Sequence, residues 1–295
     1  MMASQPQHAM PPDRIPSRVV SLVPSITRSM MDFGLGARII GMTEYCEPGE
    51  FDDVVRVGGT LTPNIDLIRE LDPDYVVANV EENPKEIVTQ LSDAGIELWV
   101  TFPKTISDCI NDLWHLARRF GILERVSDTI NSMERTITWL NHADAGVKRK
   151  RVFCPIWFDD WWMTINHDTY VHSVVELCGG ANIFASRERK FPLEADIGES
   201  STHEEPGSRD VRYPRVSTEE IKKLDPELIL LPDEPYPFGL LEVEMVKDLL
   251  RGTSAISDDQ VFQVEGRWLT WYGTTLAEAM RNLPQILRVI DSKRS

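Results

Sequence analysis

Long apolar segments are missing from this sequence. None of its 295 residues lies in a run of about 18 consecutive apolar residues, the length that a membrane-spanning helix needs. Several catalytic signatures are also missing: there is no GxSxG, no GxGxxG after a predicted strand, no GxxxxGKS/T phosphate loop and no HExxH. We therefore predict neither a membrane span nor a catalytic centre.

Cysteine is scarce. The chain has only 4 cysteines and no CxxC motif; they are scattered at Cys46, Cys109, Cys154 and Cys178. Such spacing does not describe a disulfide framework or a zinc site, and Cys109 and Cys154 lie in apolar surroundings typical of buried thiols. The pattern favours free cysteines in a reducing compartment.

Positive charge is in short supply. Lysine and arginine total 31 against 47 acidic residues, so the net charge is −16. A phosphate backbone would repel such a protein. The basic cluster Lys148–Arg151 is short and follows a predicted helix end, where cations are favoured in any case. We exclude nucleic acid as a partner.

An apolar core of the kind found in secretory signals is absent from the first 17 residues, which contain Pro6, Pro11, Pro12 and Pro16. We predict a disordered tail over residues 1–17. As it stands the sequence favours a cytoplasmic protein, and a truncated N-terminus would allow a periplasmic or cell-surface one.

Proline is also absent from residues 104–154, although the chain contains 19 prolines. The second half of this stretch spaces apolar residues alternately by three and four, which predicts one long amphipathic helix; the stripe is Leu123, Val126, Ile130, Met133, Ile137 and Leu140. A shorter amphipathic helix precedes it, and Gly121 separates the two. We interpret residues 104–148 as a helical spine.

Similar segments lie on the two sides of this spine. Residues 66–77 (DLIRELDPDYVV) are echoed by residues 219–230 (EEIKKLDPELIL), each reading as a helix, a Leu-Asp-Pro stop and a buried strand. The repeat predicts an α/β fold with two Rossmann-like lobes joined by a long backbone helix. The expected boundaries are 18–103 for the first lobe and 149–295 for the second.

Aromatic residues cluster at the start of the second lobe. Trp157 and Trp161 flank two aspartates in a predicted loop, whereas Trp162 is expected to enter a strand and the core. Exposed tryptophans beside carboxylates suit a large, flat or amphipathic ligand. His167 and His172 were considered as metal ligands, but their spacing of five does not fit one helical face, and a packing role for His172 is favoured.

Taken together, several motifs resemble the cobalamin- and ferric-siderophore-binding receptors of ABC importers. They are Val20–Ser25, the loop 41–48, residues 66–77, Gly95-Ile96, residues 179–184 (GGANIF) and residues 213–217 (YPRVS). The resemblance extends from Arg18 to Leu287. It implies two α/β lobes on one backbone helix, with the ligand held in a cleft between the lobes.

The resemblance also implies roles for individual residues. The ligand-binding set is Pro24, Ser25, Tyr45, Glu81, Glu82, Asn83, Trp157, Trp161 and Tyr272, and Asp66 and Glu219 match the acids that face arginines of the permease. This sequence departs from the family pattern at Thr60 and Asn79, near which cobalamin receptors of this type carry tryptophans. It also departs at Asp66, whose side chain is shorter than that of the usual glutamate.

Two functions follow from this resemblance. The first is a monomeric, non-enzymatic substrate-binding protein without an intrinsic cofactor, which carries cobalamin or another corrinoid, or else a ferric siderophore or haem, to an ABC permease. The second is a cytoplasmic enzyme or chaperone of metal-cofactor metabolism that keeps the same fold, because a fold does not fix a function.

Overall fold

The computed structural model describes residues 14–47, 53–143 and 146–288, and the chain divides into two compact units. Unit 1 consists of the described residues up to 102 together with residues 110–132. Unit 2 consists of residues 103–109 and the described residues from 133 onward. No helix among the described residues is both long enough and apolar enough to cross a membrane.

Unit 1 alternates strands and helices. Its elements are β1 (Val19–Ser21), α1 (Pro24–Asp32), β2 (Ile39–Met42), β3 (Val55–Arg56), α2 (Ile65–Glu70), β4 (Tyr75–Asn79), α3 (Lys85–Asp93) and β5 (Leu98–Thr101). The strands form a parallel sheet in the order β3-β2-β1-β4-β5. Strand β4 is buried at every position, as expected for an inner strand with both faces covered.

The predicted spine consists of α4 (Ile106–Arg119) and α5 (Leu123–Ala143). Gly121, whose φ is +66°, lies between them in the left-handed region that favours glycine. The stripe of α5 is confirmed at four of its six positions: Val126, Ile130, Met133 and Leu140 are buried, whereas Ile137 is half-buried. Leu123, at the first turn, is 40% exposed, so the buried face begins one turn later than predicted.

Unit 2 repeats the alternation with additions. Its elements are β6 (Lys150–Phe153), β7 (Trp157–Phe158), β8 (Trp162–Met163), α6 (Tyr170–Leu177), β9 (Gly180–Asn182), α7 (Leu193–Asp196), β10 (Arg215–Val216), α8 (Thr218–Leu224), β11 (Leu228–Pro232), α9 (Leu240–Leu249), α10 (Ser254–Ser257), β12 (Val261–Val264), α11 (Arg267–Thr270) and α12 (Leu276–Leu287). A parallel sheet has the order β12-β11-β6-β9, and β10, β8 and β7 form a small antiparallel sheet.

The predicted internal repeat is visible in the backbone. Helices α2 and α8 are each followed by an aspartate in the left-handed region, with φ of 46° at Asp72 and 47° at Asp225. A proline comes next in both copies, and then the buried strands β4 and β11. Aspartate tolerates this conformation better than most residues, which explains its presence at both helix ends.

An arginine at the start of each sheet extends the repeat beyond what the sequence comparison found. Arg18 Nε donates to the carbonyl of Asp72 at 3.0 Å, and Arg151 Nε donates to the carbonyl of Asp225 at 3.1 Å. The backbone N–H groups of the two arginines donate to the carboxylates of Asp74 and Glu227 at 2.9 and 3.0 Å. The joint between helix and strand is therefore held in the same way in both units.

Each unit has its own apolar core. In unit 1 it includes Val20, Leu22, Val57, Ile68, Val76 and Leu91, and in unit 2 it includes Phe153, Trp162, Phe184, Ile229, Leu231 and Phe238. Trp162 is fully buried, which confirms its predicted place in the core. Burying a side chain of this kind contributes about 1.5–3 kcal/mol.

The predicted tail is only partly described, because residues 1–13 lie outside the described residues. Residues 14–17 are attached to unit 1. The carbonyl of Arg14 accepts a bond from Arg119 at 2.7 Å, the carbonyl of Pro16 accepts one from Arg38 at 2.5 Å, and Ser17 bonds to Asp74. Order in the chain therefore begins before the predicted boundary at residue 18.

Candidate functional site

Loops that follow the carboxyl ends of parallel strands are the usual ligand sites in open α/β sheets. In unit 1 the predicted residues Pro24 and Ser25 begin helix α1, which follows β1. The loops after β2 and β4 carry Tyr45 and Glu81 to Asn83. In unit 2 Trp157 begins the short strand β7 after β6, instead of lying in the predicted loop, and Trp161 lies in the turn between β7 and β8. The segment after β12 carries Tyr272. The structure thus places the predicted residues at the expected edge of each sheet.

Two asparagines build the edge of unit 1. The Oδ1 atom of Asn83 accepts a bond from the backbone N–H of Asn79 at 2.7 Å, and its Nδ2 donates to the carbonyl of Thr60 at 2.9 Å. Asn79 in turn accepts bonds from the backbone N–H groups of Glu81 and Glu82. Asn83 is only 3% exposed. Its side chain is occupied in holding neighbouring loops together and offers little surface to a ligand.

These hydrogen bonds show what Asn79 does at a position where the sequence departs from the pattern that the resemblance implies. Asn79, near which cobalamin receptors carry a tryptophan, is buried and folds the loop that presents Glu81 and Glu82. Glu81 is exposed and Glu82 is half-buried. The loop after β4 therefore presents carboxylates where the resemblance implies an aromatic ring.

Tyr45 is the most open aromatic residue at the edge of unit 1, with 66% of its surface exposed. Arg56 holds the loop that carries Tyr45, because Arg56 Nη1 donates to the carbonyls of Thr43 and Cys46 at 2.6 and 2.8 Å. The Cys46 sulfur lies 3.2 Å from the hydroxyl oxygens of both Thr27 and Thr43. Burial raises the pKa of the Cys46 thiol, so this side chain is a neutral packing group.

The amino end of α1 has no side-chain cap. Neither Ser25 nor Thr27 caps the helix: Val23 is the N-cap residue, Pro24 follows it, and the Thr27 hydroxyl donates to the carbonyl of Val23 at 2.9 Å. The Ser25 hydroxyl is buried and has no hydrogen-bond partner within the described part of the chain. The first amides of α1 are thus left without a side-chain acceptor.

The three predicted aromatic residues of unit 2 differ in exposure. Trp157 is 43% exposed, and its ring meets Tyr236 edge-on at 5.4 Å. Trp161 is half-buried, and the Arg215 guanidinium lies 5.9 Å from the ring centroid of Trp161. Tyr272 is only 5% exposed and packs edge-on against a buried tyrosine of α6. Trp157 offers the largest open ring of the three.

Tyr236 and Glu234 are candidate site residues that sequence reasoning missed. They lie in the loop after β11, whose Pro-Asp-Glu-Pro sequence showed only that it would turn. The Thr270 hydroxyl donates to Glu234 Oε1 at 3.0 Å. Burial raises the pKa of the Glu234 carboxyl, and the nearby Asp233 charge adds to that rise. A carboxyl with a raised pKa in such a loop is typical of binding sites.

Gly266 allows this loop to approach α11. A β-carbon added at Gly266 would lie 2.3 Å from Glu234 Cγ and 2.7 Å from the Glu234 carbonyl oxygen, so no larger residue fits without displacement. The Gly266 amide donates to Asp233 Oδ1 at 2.7 Å. Beyond the loop, Leu240 and Leu241 begin α9 with 79% and 83% of their surfaces exposed. Two exposed aliphatic side chains therefore follow, along the chain, the loop that carries the partly buried Glu234 carboxyl.

The two histidines considered as metal ligands bond to protein groups. His167 Nδ1 lies 2.8 Å from the carbonyl of Ala185, and His172 Nδ1 lies 3.3 Å from Asn182 Nδ2. Among residues 14–47, 53–143 and 146–288, no group of three or more His, Cys, Asp or Glu side chains is placed to hold a metal ion. The four cysteines are buried free thiols.

The two predicted permease-docking acids occupy equivalent places. Asp66 lies in the first turn of α2 and Glu219 in the first turn of α8. The Asp66 side chain is 88% exposed and lies 3.5 Å from Arg69, and Glu219 is also exposed. Both carboxylates are open to a partner, and a helix start favours their negative charge.

Comparison with known proteins places these features in a family. The sequence model of the family described as "Periplasmic binding protein" matches residues 19–266. The vitamin B12-binding protein of Vibrio cholerae serotype O1 is 24% identical over 277 residues, which cover 94% of this chain and 91% of that protein. The Yersinia pestis vitamin B12-binding protein is 28% identical over 182 residues, or 61% of this chain and 65% of that protein.

Solved structures share the fold. The periplasmic vitamin B12-binding protein BtuF of Vibrio cholerae superposes with a TM-score of 0.70 at 23% identity, covering 92% of this chain and 96% of that chain. The periplasmic haem-binding protein HutB of the same organism gives 0.72 at 17% identity, covering 91% and 98%. With the family match spanning most of the sequence, the chain belongs to the periplasmic binding protein family.

Proposed function

We propose that this protein is a non-enzymatic substrate-binding component that captures a bulky metal chelate, with cobalamin or another corrinoid as the first candidate. The observation that carries the proposal is the similarity to vitamin B12-binding proteins over 94% of the chain. The relatives bind their ligand as cargo, and we infer the same here, so the chelate is not a resident cofactor. Haem and ferric siderophores are the alternative cargoes.

The surfaces at the two sheet edges support a ligand that is flat and partly polar. Unit 2 presents the exposed ring of Trp157, which packs against the half-buried Tyr236, and the exposed side chains of Leu240 and Leu241, all of which suit an apolar macrocycle. Unit 1 presents Tyr45 and the carboxylate of Glu81. A carboxylate accepts hydrogen bonds from amide N–H₂ groups, of which a corrinoid carries several, and it repels acidic groups.

A direct titration tests this function. We expect isothermal calorimetry to detect one-to-one binding of cyanocobalamin, with haem and a ferric hydroxamate as parallel ligands. If haem or the hydroxamate binds more tightly than cyanocobalamin, that chelate is the cargo instead of the corrinoid, and the protein is still a receptor. If every chelate binds more weakly than about 100 µM, a receptor function is excluded, because that affinity corresponds to only about 5–6 kcal/mol.

Trp157→Ala locates the site within the protein. If Trp157 stacks on the ligand, the variant loses about 1–3 kcal/mol of binding free energy, as is typical of an aromatic anchor. Trp139→Ala is the matched control, because Trp139 is also exposed, at 63%, but lies on α5. A loss of melting temperature in Trp157→Ala without a loss of affinity would assign this residue to packing instead.

We further propose that Asp66 and Glu219 present the loaded protein to an ABC permease. Support comes from their exposure and from their equivalent places in the first turns of the repeated helices α2 and α8. One acid from each unit would then meet an arginine of the permease. Contacts of this kind between exposed charges mainly set orientation and association rate.

A further inference from the structure

A segment rich in arginine crosses unit 2 between β9 and β10. We call residues 186–215 the arginine strap. It folds around a buried carboxylate. The Asp196 side chain is fully buried; its Oδ1 accepts bonds from Arg187 and from the Lys190 amide, and its Oδ2 accepts bonds from Arg215.

The arginines of the strap differ in one respect. Four of them have a carboxylate partner: Arg187 with Asp196 at 3.0 Å, Arg209 with Glu204 at 2.9 Å, Arg212 with Asp210 at 2.5 Å and Arg215 with Asp196 at 3.0 Å. The fifth, Arg189, has none. Within the described residues its Nε is buried without a hydrogen-bond partner, and its guanidinium takes part in no ion pair.

Arg189 also lies among other cations. Its guanidinium carbon is 5.1 Å from the ring centroid of Phe191, and that of Arg209 is 4.0 Å from the same centroid. Burial lowers the pKa of Arg189 and the positive charge of Arg215 lowers it further, whereas the nearby carboxylates of Asp196 and Asp210 raise it. The side chain is half-buried, and its buried Nε–H donor has no acceptor, which costs free energy, so this arrangement favours an added oxygen acceptor.

We propose that Arg189 is the centre of an oxyanion site that takes a carboxylate or phosphate group, with Arg209 as the second cation at the Phe191 ring. A guanidinium offers parallel N–H donors that match two oxygens of such a group. The net charge of −16 gives no long-range attraction for anions, so recognition depends on these local contacts. The site stands on the geometry of unit 2 alone.

The strap borders a residue predicted to bind the ligand. Arg215 Nη2 donates to the carbonyl of Lys190 at 3.2 Å, and the Arg215 guanidinium lies 5.9 Å from the Trp161 ring. The oxyanion has two possible sources. One is a free anion, and the other, which rests on the function proposed above, is an acidic group of the bound chelate, such as the phosphodiester of cobalamin.

Titration with inorganic phosphate tests the site itself. In nitrogen-15 spectra of arginine side chains, we expect a saturable shift of one Nε–Hε signal that disappears in Arg189→Gln. Arg189→Lys keeps the charge but loses the second donor, and we expect it to bind phosphate about ten- to a hundredfold more weakly. Arg251→Gln is the control, because this exposed arginine pairs with Asp248. The absence of a saturable shift, or its persistence in Arg189→Gln, overturns the proposal.

The melting temperature separates a binding role from a structural one. Removing an unpaired, partly buried charge should not lower the melting temperature of Arg189→Gln in phosphate-free buffer, whereas added phosphate should stabilise only the wild-type protein. A melting temperature lowered in phosphate-free buffer would assign Arg189 to the packing of the strap and contradict an anion site.

A double comparison identifies the source of the oxyanion. Cobinamide lacks the phosphodiester and the base of cobalamin, so we compare both ligands on the wild-type protein and on Arg189→Gln. A preference for cobalamin that falls about tenfold or more in the variant assigns the oxyanion to the chelate. An unchanged preference, with phosphate still bound, supports the site and assigns it to a free anion. Phosphate binding without any chelate binding keeps the site and rejects the proposed function.

Discussion

At the scale of single residues, Glu234 combines burial with a place in a candidate binding loop. Its pKa is raised above the ordinary value of 4.5 by burial. The folded protein therefore holds this proton more tightly than the unfolded chain does. By linkage, the contribution of Glu234 to stability is greatest at low pH and declines as the pH rises from 4.5 through the folded-state pKa.

Glu234→Gln removes this titration while keeping an oxygen acceptor for Thr270. We expect the melting temperature of the variant, minus that of the wild type, to become more positive as the pH is raised from about 4.5 to 7. The measurement is a series of thermal scans in that range. Glu244→Gln is the control, because the Glu244 side chain is 74% exposed. A difference that does not change with pH would contradict the role assigned to Glu234.

Helix α5 shows at the scale of elements how periodicity decides burial. Its apolar residues recur every three or four positions, and the middle ones, Ile130 and Met133, are 0% and 5% exposed. Asp128, between the stripe positions, is exposed. Most of the stability of such a helix comes from the packing of its apolar face.

Ile130→Ala tests that packing. We expect a loss of about 2–5 kcal/mol in the free energy of unfolding, from the lost burial and the cavity that remains. Urea denaturation followed by circular dichroism measures it. Asp128→Ala, on the exposed face of the same helix, should change stability by less than about 0.5 kcal/mol. Equal effects of the two substitutions would show that the stripe is not the packed face.

At the scale of the whole molecule, the compartment separates the two functions that the family resemblance allows. A component that hands a chelate to an importer works outside the cytoplasm, whereas the enzyme or chaperone considered as the second function works inside it. We propose the extracytoplasmic location, on the strength of the family and of the exposed acids Asp66 and Glu219.

Fractionation of the native cells tests this location. We expect the protein in the periplasmic or membrane-anchored fraction, detected by immunoblot beside a cytoplasmic marker. Recovery with the cytoplasmic marker would instead support an enzyme or chaperone of metal-cofactor metabolism on the same fold. Such a result would leave the chelate-binding measurements valid and reject only the transport role.

The local features of this protein were determined by its sequence. The stripe of α5, the Asp-Pro stops after α2 and α8, and the burial of Trp162 all depend on spacing, on proline chemistry or on apolar character, which a sequence displays directly. The two α/β units follow from the repetition of those features. The edges that carry the candidate site were also predictable, because each loop follows a recognisable strand.

Only the tertiary structure decided which side chains of those loops are open. Asn83, Ser25 and Tyr272 are buried, Tyr45 and Trp157 are exposed, and nothing in their own sequence neighbourhoods distinguishes the two groups. The partners of the buried residues are distant in the chain: the carbonyl of Thr60 is 23 residues from Asn83, and Arg215 is 19 residues from Asp196. Such distant partners decide whether a polar loop residue holds neighbouring loops together, forms an ion pair or stays open to a ligand. Only the folded chain brings those partners within hydrogen-bonding distance.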